Sequence, residues 1–167
     1  MSRETTCCFT GHRVLGNDFS RERLKSRIEK LIDMGIDTFI SGGALGFDTI
    51  AAEEVILSKK NHPGIKLFIY APCKNQSEKW NASEKAKYKK LLSAADFVDM
   101  PEFDYFNGCM KERNYRMVDA SSFCIAYFNG EKLRSGTAQT LRYAESEGLK
   151  IYNISTRENG ARGENIE

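Results

Sequence analysis

With 167 residues, of which 41% are apolar, 29% charged and only three proline, the chain can build one domain with a real core. It is too short for two ordinary domains and too apolar for wholesale disorder. A formal net charge of +2 excludes a broad electrostatic pull toward nucleic acid or anionic membrane, so any anion binding must be local.

Apolar runs alternate with helical patterns, which argues for βαβ units and a mostly parallel sheet in an α/β domain. Thr6 to Thr10 predicts the first strand. Ser20 is a natural N-cap for a helix over Arg21 to Met34, with Leu24, Ile28, Leu31 and Ile32 on one face and Gly35 as its stop. A second strand, Thr38 to Ser41, passes through a glycine turn into a helix over Thr49 to Leu57. Lys66 to Tyr70 is a third strand, a helix follows from Asn81 to Ala94, and Asp96 to Asp99 makes a short fourth strand. In that helix Ala82, Ala86, Leu91 and Ala95 mark the inner face, and the basic run Lys85 to Lys90 reads as its solvated side rather than a nucleic-acid patch. Met110 to Asp119 is helical, Phe123 to Phe128 is the fifth strand, Ser135 to Glu147 is the last long helix, and Lys150 to Ile154 closes the sheet. One domain is expected over residues 1–155, followed by a disordered polar tail over residues 156–167.

The five cysteines, Cys7, Cys8, Cys73, Cys109 and Cys124, are odd in number and form no C-x-x-C pair. They argue against a disulfide framework or a metal site. Cys7, Cys8 and Cys124 read as small core residues, whereas Cys73 and Cys109 fall in predicted loops, where one can serve as a reactive thiol. There is no secretory h-region and no apolar run of bilayer-spanning length, so a reducing cytoplasm and no membrane partner are expected.

Three strands run into polar, glycine-bearing turns: Gly11-His12-Arg13, Ser41-Gly42-Gly43-Ala44-Leu45-Gly46-Phe47-Asp48, and Ser135-Gly136-Thr137 at the head of the last helix. Strand, glycine turn, helix is an arrangement that offers bare backbone N–H groups and a positive helix end to a phosphate. All three turns lie at carboxyl ends of strands, where open parallel sheets bind ligands, so a single crevice is expected. The G-x-G-x-x-G spacing and the Walker A lysine are both absent, against a P-loop ATPase.

Each candidate residue also has a structural explanation. Gly42, Gly43 and Gly46 can simply permit a tight connection, although three glycines and a serine in six residues favour phosphate contact. Asp48 can bind a ribose hydroxyl or base, or can cap the helix. Arg13 follows a strand and a glycine directly and suits phosphate, yet Arg13 and Arg113 can also pair with Asp48, Glu112 or Asp119. His12 has no carboxylate partner visible in sequence, which favours a structural role over acid–base work. Asn114 and Asp119, five apart on one helix, need not share a pocket. Ser135 and Thr137 serve an anion cradle or only a cap. Phe103, Tyr105 and Phe106, with Trp80, can stack on a base, or else form a satellite core or an oligomer contact.

Cys7 to Arg13, Ser41 to Asp48, Arg113-Asn114 with Met117-Val118-Asp119, and Ser135 to Thr137 together resemble the YpsA family of the SLOG superfamily. That superfamily also holds the DNA-processing protein DprA and the LOG phosphoribohydrolases. The resemblance covers Thr6 to about Ile154. It implies a single Rossmann-like three-layer domain that binds a nucleotide or nucleotide derivative, such as ADP-ribose or a signalling nucleotide, as a sensor or regulatory module. The ligand would be held by Gly11, His12, Arg13, Ser41, Gly42, Gly43, Ala44, Gly46, Asp48, Arg113, Asn114, Ser135, Gly136 and Thr137, with no metal and no further cofactor. A homo-oligomer is compatible with the superfamily. The alternative is a nucleotide hydrolase with Arg113 and Asp48 or Asp119 as catalytic groups. Met110 to Asn114 matches the arginine helix of LOG enzymes, but Thr140 stands where their glutamate would be, and a threonine cannot replace a carboxylate at the ribose centre. Single-stranded DNA binding, by analogy with DprA, is the third reading, and the near-neutral charge argues against a nucleic-acid partner.

Overall fold

The computed structural model describes residues 1–131 and 133–157. Six strands, β1 (Thr6–Gly11), β2 (Thr38–Ser41), β3 (Lys66–Tyr70), β4 (Phe97–Asp99), β5 (Phe123–Tyr127) and β6 (Lys150–Asn153), form one sheet in the order β4-β3-β2-β1-β5-β6. All neighbouring pairs are parallel. Five helices connect them: α1 (Arg21–Asp33), α2 (Phe47–Ser58), α3 (Ala82–Ala94), α4 (Cys109–Asp119) and α5 (Gly136–Ser146). The chain walks outward from β1 to β4, returns through α4 to β5 on the other side of β1, and ends at β6.

Alternation along each strand builds two apolar layers, because successive side chains point to opposite faces. Cys7, Phe9, Phe39, Leu67, Ile69, Ile125 and Tyr152 pack with Leu24, Ile28, Val55 and Leu91 from α1, α2 and α3. Cys8, Ile40, Cys124, Ala126 and Ile151 pack with Met117, Val118, Leu141 and Ala144 from α4 and α5. The result is the Rossmann-like three-layer fold. All five cysteines are buried and free, including Cys73 and Cys109. Burial pushes the Cys73 thiol above its ordinary value, which leaves less of the reactive thiolate.

Local signals account for several boundaries. The Ser20 hydroxyl caps α1 by accepting the Arg23 N–H, and Asn81 forms a capping box with Glu84 at the head of α3. The inner face of α3 differs from the alanine pattern. Tyr88 and Leu91 are buried while Ala82 and Ala86 are exposed, because only the second half of the helix packs on the sheet layer. Lys85, Lys87, Lys89 and Lys90 are exposed as expected. Thr156 donates its N–H to the Asp18 carbonyl at 2.9 Å, and Arg157 pairs with Glu131. The rest of the expected tail, residues 158–167, lies outside the described residues. No helix among the described residues is long and apolar enough to cross a membrane.

Candidate functional site

A cleft of about 650 Å³ opens at the carboxyl ends of β1 and β5, where the chain's progress across the sheet reverses. Its volume is that of a small-molecule site. Three segments converge on it: Gly11, His12 and Arg13 leaving β1; Ser135, Gly136 and Thr137 opening α5; and Met110, Arg113 and Asn114 on α4. Ala44 and Asp48 supply its floor from the β2–α2 connection.

The glycine-rich turn has a different part from the one its composition suggests. The Ser41 hydroxyl accepts the Gly43 N–H at 3.1 Å and donates to the Asp48 carbonyl at 2.9 Å, while the Ala44 N–H reaches Asp48 Oδ2 at 3.4 Å and the Phe47 N–H donates to the His12 carbonyl at 3.1 Å. A Cβ on Gly42 would lie 2.6 Å from Arg113 Cζ, and one on Gly46 would lie 2.1 Å from the Arg13 carbonyl oxygen. Gly46 also holds a φ of +82°, which lets the chain turn directly into α2 two residues earlier than the sequence suggests. Ser41, Gly42, Gly43 and Gly46 therefore stand behind the cleft wall, with Ala44 and Asp48 as the residues of this turn that line it. Close packing against Arg113, Tyr88 and the Arg13 backbone accounts for these glycines in the turn.

The head of α5 is open by comparison. The Ser135 hydroxyl caps the helix by accepting the Ala138 N–H at 3.1 Å. The Gly136 and Thr137 N–H groups face no acceptor among the described residues, as first-turn donors lack intrahelical partners. Arg13, on the β1 side, is exposed and makes no hydrogen bond or ion pair among the described residues. Two groups suited to an anion thus flank the cleft.

His12 and Arg113 are mostly committed to holding the walls. The His12 Nε2 accepts the Asn129 N–H at 3.3 Å, and its ring packs on Tyr127 and Phe128. Arg113 is buried. Its Nη1 donates to the carbonyls of Gly42 at 2.6 Å and Tyr70 at 3.1 Å, and its Nε donates to Asn114 Oδ1 at 2.8 Å. The guanidinium thus ties α4 to the ends of β2 and β3. Beside it, burial pushes the Asp48 carboxyl up to about 6, and the pull of the Arg113 charge and of the Ala44 N–H offsets only part of that. Asp119 lies away from the cleft, accepting a hydrogen bond from the Tyr143 hydroxyl at 2.6 Å. Thr140 is also elsewhere, buried with its hydroxyl on the Gly136 carbonyl at 2.8 Å.

Sequence reasoning missed several lining residues. Asn129 and Glu131 follow β5, and the rule that selected the turn after β1 would have found them. Asp18 gave no signal: its buried carboxyl accepts from Tyr127 at 2.7 Å and Ser155 at 2.6 Å, partners more than a hundred residues away. Burial raises its pKa, but these hydrogen bonds more than offset that and hold it below the ordinary value.

A parallel sheet in this order, with its cleft at the switch point, defines a Rossmann-like domain. The model of the YspA SLOG family matches residues 15–159, and the chain belongs to that family. It is 36% identical over 142 residues to the SPβ prophage-derived protein YoqJ of Bacillus subtilis, covering 77% of this chain and 82% of that one. It is also 36% identical over 123 residues to a UPF0398 protein of Halalkalibacterium halodurans, covering 72% of this chain and 65% of that one. Among solved structures, DNA processing protein A of Helicobacter pylori, described for its single-stranded DNA binding mode, superposes with a TM-score of 0.69 at 19% identity over 97% of this chain and 70% of its own. DprA of Streptococcus pneumoniae gives 0.62 at 18% identity over 90% of this chain and 50% of its own. These likenesses overturn the expectation, drawn from the near-neutral charge, against a nucleic-acid partner. A protein of this fold binds single-stranded DNA, and a balanced net charge does not speak against a local phosphate-binding surface.

Proposed function

We propose that the cleft binds a phosphate-bearing nucleotide or nucleotide derivative and that the domain acts as a sensor or regulatory module. The observation that carries this is the pairing across one cleft of the exposed Arg13 guanidinium, which makes no hydrogen bond or ion pair among the described residues, with the Gly136 and Thr137 N–H groups at the head of α5, which have no acceptor among those residues. Gly11 lines the β1 end of the cleft, its missing side chain leaving room for the Phe47 ring, and Asn114 adds an amide. Asp48 is placed to accept hydrogen bonds from sugar hydroxyls, because its carboxylate is on the floor of the cleft and is largely ionised at neutral pH. Binding is favoured over hydrolysis by Thr140, which occupies the position of the LOG glutamate and whose hydroxyl is engaged inside α5. Thermal unfolding in the presence of AMP, ADP and ADP-ribose tests the reading, since a ligand bound only to the folded state at a hundredfold excess over Kd stabilises by about 2.7 kcal/mol. A rise in Tm with at least one of them, lost on Arg13→Ala, is expected. No rise with any of them would remove the proposal.

A second reading, single-stranded nucleic acid at the same cleft, is favoured by the fold likeness to DprA. Its signature would be oligonucleotide affinity that falls steeply with salt, because each neutralised phosphate releases counterions.

A further inference from the structure

A second cleft, of about 660 Å³, adjoins the first and shares Arg13 and Met110 with it. It lies between the loop that follows β3 and the loop that follows β4. Backbone and side-chain bonds join these loops: the Lys74 N–H donates to the Phe103 carbonyl at 3.0 Å, and the Tyr105 N–H to Asn75 Oδ1 at 2.8 Å. Trp80 and Tyr105 give it two aromatic walls. Trp80 is held edge-on against Tyr88, with ring centroids 5.2 Å apart, and remains partly exposed. Gln76 sets the inner end, its amide donating to the Tyr88 hydroxyl at 3.1 Å and the Gly42 carbonyl at 3.3 Å. Each cleft alone is large enough for one small-molecule moiety. The side chain they share, Arg13, is an exposed cation that makes no hydrogen bond or ion pair among the described residues and whose charge is felt by Asp48.

We infer that the second cleft stacks an aromatic ring joined through phosphate to the moiety in the first, so that the ligand is a two-ring, dinucleoside-diphosphate type of molecule bridged at Arg13. The inference rests on the reading of the first cleft as a nucleotide site. A stacked ring on Trp80 or Tyr105 would add affinity that a mononucleotide cannot gain, because a base presents a π-face to an aromatic wall.

Trp80 is the only tryptophan of the chain, so its emission reports on the second cleft alone. Full-length protein is titrated with ADP, with diadenosine diphosphate and with a short single-stranded oligonucleotide, following tryptophan fluorescence and calorimetry together. The expected result has three parts. Diadenosine diphosphate binds about tenfold more tightly than ADP and quenches Trp80 with a midpoint equal to the calorimetric one. ADP binds with little quench. Trp80→Ala, judged folded by circular dichroism, lowers the affinity for diadenosine diphosphate about tenfold and leaves that for ADP within twofold. If ADP binds but diadenosine diphosphate binds no tighter and leaves the emission unchanged, the inference is overturned and the first-cleft reading stands. A dinucleotide that binds and quenches while ADP does not bind at all would remove the first-cleft reading and overturn the bridged ligand with it, leaving Trp80 as the wall of a separate site. Quenching by the oligonucleotide with none by the dinucleotide overturns the inference in favour of nucleic acid. Absence of binding by all three overturns both.

Discussion

Two strand-to-helix connections in this domain, the one between β2 and α2 and the one between β5 and α5, start from the same geometry and end with opposite uses. The first holds three glycines, yet its Gly43, Ala44 and Phe47 N–H groups are all taken up by protein acceptors. The second holds Gly130 in its loop and Gly136 at the helix head, and leaves the Gly136 and Thr137 N–H groups, at the cleft wall, without an acceptor among the described residues. Glycine density therefore measures how closely other chain segments approach, here Arg113 and the Arg13 backbone, and not how much anion a turn can hold. The glycine-rich turn fixes the walls, and the sparse turn offers the donors.

The strongest way to break this contrast is to place a side chain in the packed turn. Gly46→Ala would put a Cβ 2.1 Å from the Arg13 carbonyl oxygen at a φ of +82°. A loss of at least about 3 kcal/mol of stability is expected from strain and displacement together. Chemical denaturation measures it, and a variant as stable as the parent would show that the turn is not packed as described. Gly43→Ala follows the same rule more mildly, meeting Tyr88 Cε1 at 2.9 Å. Any loss of ligand affinity in these variants should track loss of fold.

Next in size is the carboxyl that the packed turn buries. Asp48 has a folded pKa of about 6 against 3.8 for the free group, so the folded state binds the extra proton between those values. Stability contributed by this group therefore falls as pH rises from about 4 to about 6 and is constant above, the reverse of the usual acid response. The full span is about 2–3 kcal/mol. Asp18, held low by Tyr127 and Ser155, acts in the opposite direction, losing its stabilisation as pH falls. For that reason the expected observation is a difference: stability of the parent minus that of Asp48→Asn should decline between pH 4 and pH 6. A flat difference would place the Asp48 carboxyl in contact with water.

The same contrast explains what could be read from sequence. Strand and helix positions were legible to within a residue or two because alternation and caps such as Ser20, Asn81 and Ser135 are local. The cleft's place was legible too, since Gly11, Arg13 and Ser135 to Thr137 follow strands and the carboxyl-end rule needs no coordinates. Hydrogen-bond commitment was not. Whether Arg113 meets a ligand or the carbonyls of Gly42 and Tyr70 depends on how α4 crosses the ends of β2 and β3, and those contacts span 71 and 43 residues. The position of Asp119 away from the cleft was not legible for a similar reason, because helical phase and the neighbouring Tyr143 decide it.

Arg13 sharpens the contrast from the ligand side. Its side chain is exposed and makes no hydrogen bond or ion pair among the described residues, so Arg13→Ala should change stability by no more than about 0.5 kcal/mol. A charge-assisted hydrogen bond to phosphate contributes about 1.5–3 kcal/mol, so affinity for a nucleotide that raises Tm should drop about 10–100-fold. Calorimetry on the two proteins separates the effects. Unchanged affinity would move the anion away from the β1 turn.

The smallest effect is the most discriminating, because it reverses the sign seen at Gly46. A Cβ on Gly136 meets nothing within 4 Å, and its φ lies outside the left-handed region. Gly136→Ala should therefore stabilise the domain by about 0.5 kcal/mol, since alanine loses less backbone entropy in the first helical turn. The same methyl stands beside the Gly136 and Thr137 N–H groups that line the cleft. A small rise in Tm without ligand, together with a weaker ligand-induced shift, would show that this turn is left bare for an occupant rather than for packing. A rise in Tm with an unaltered shift would mean that the α5 head, like the β2–α2 turn, does not touch the ligand.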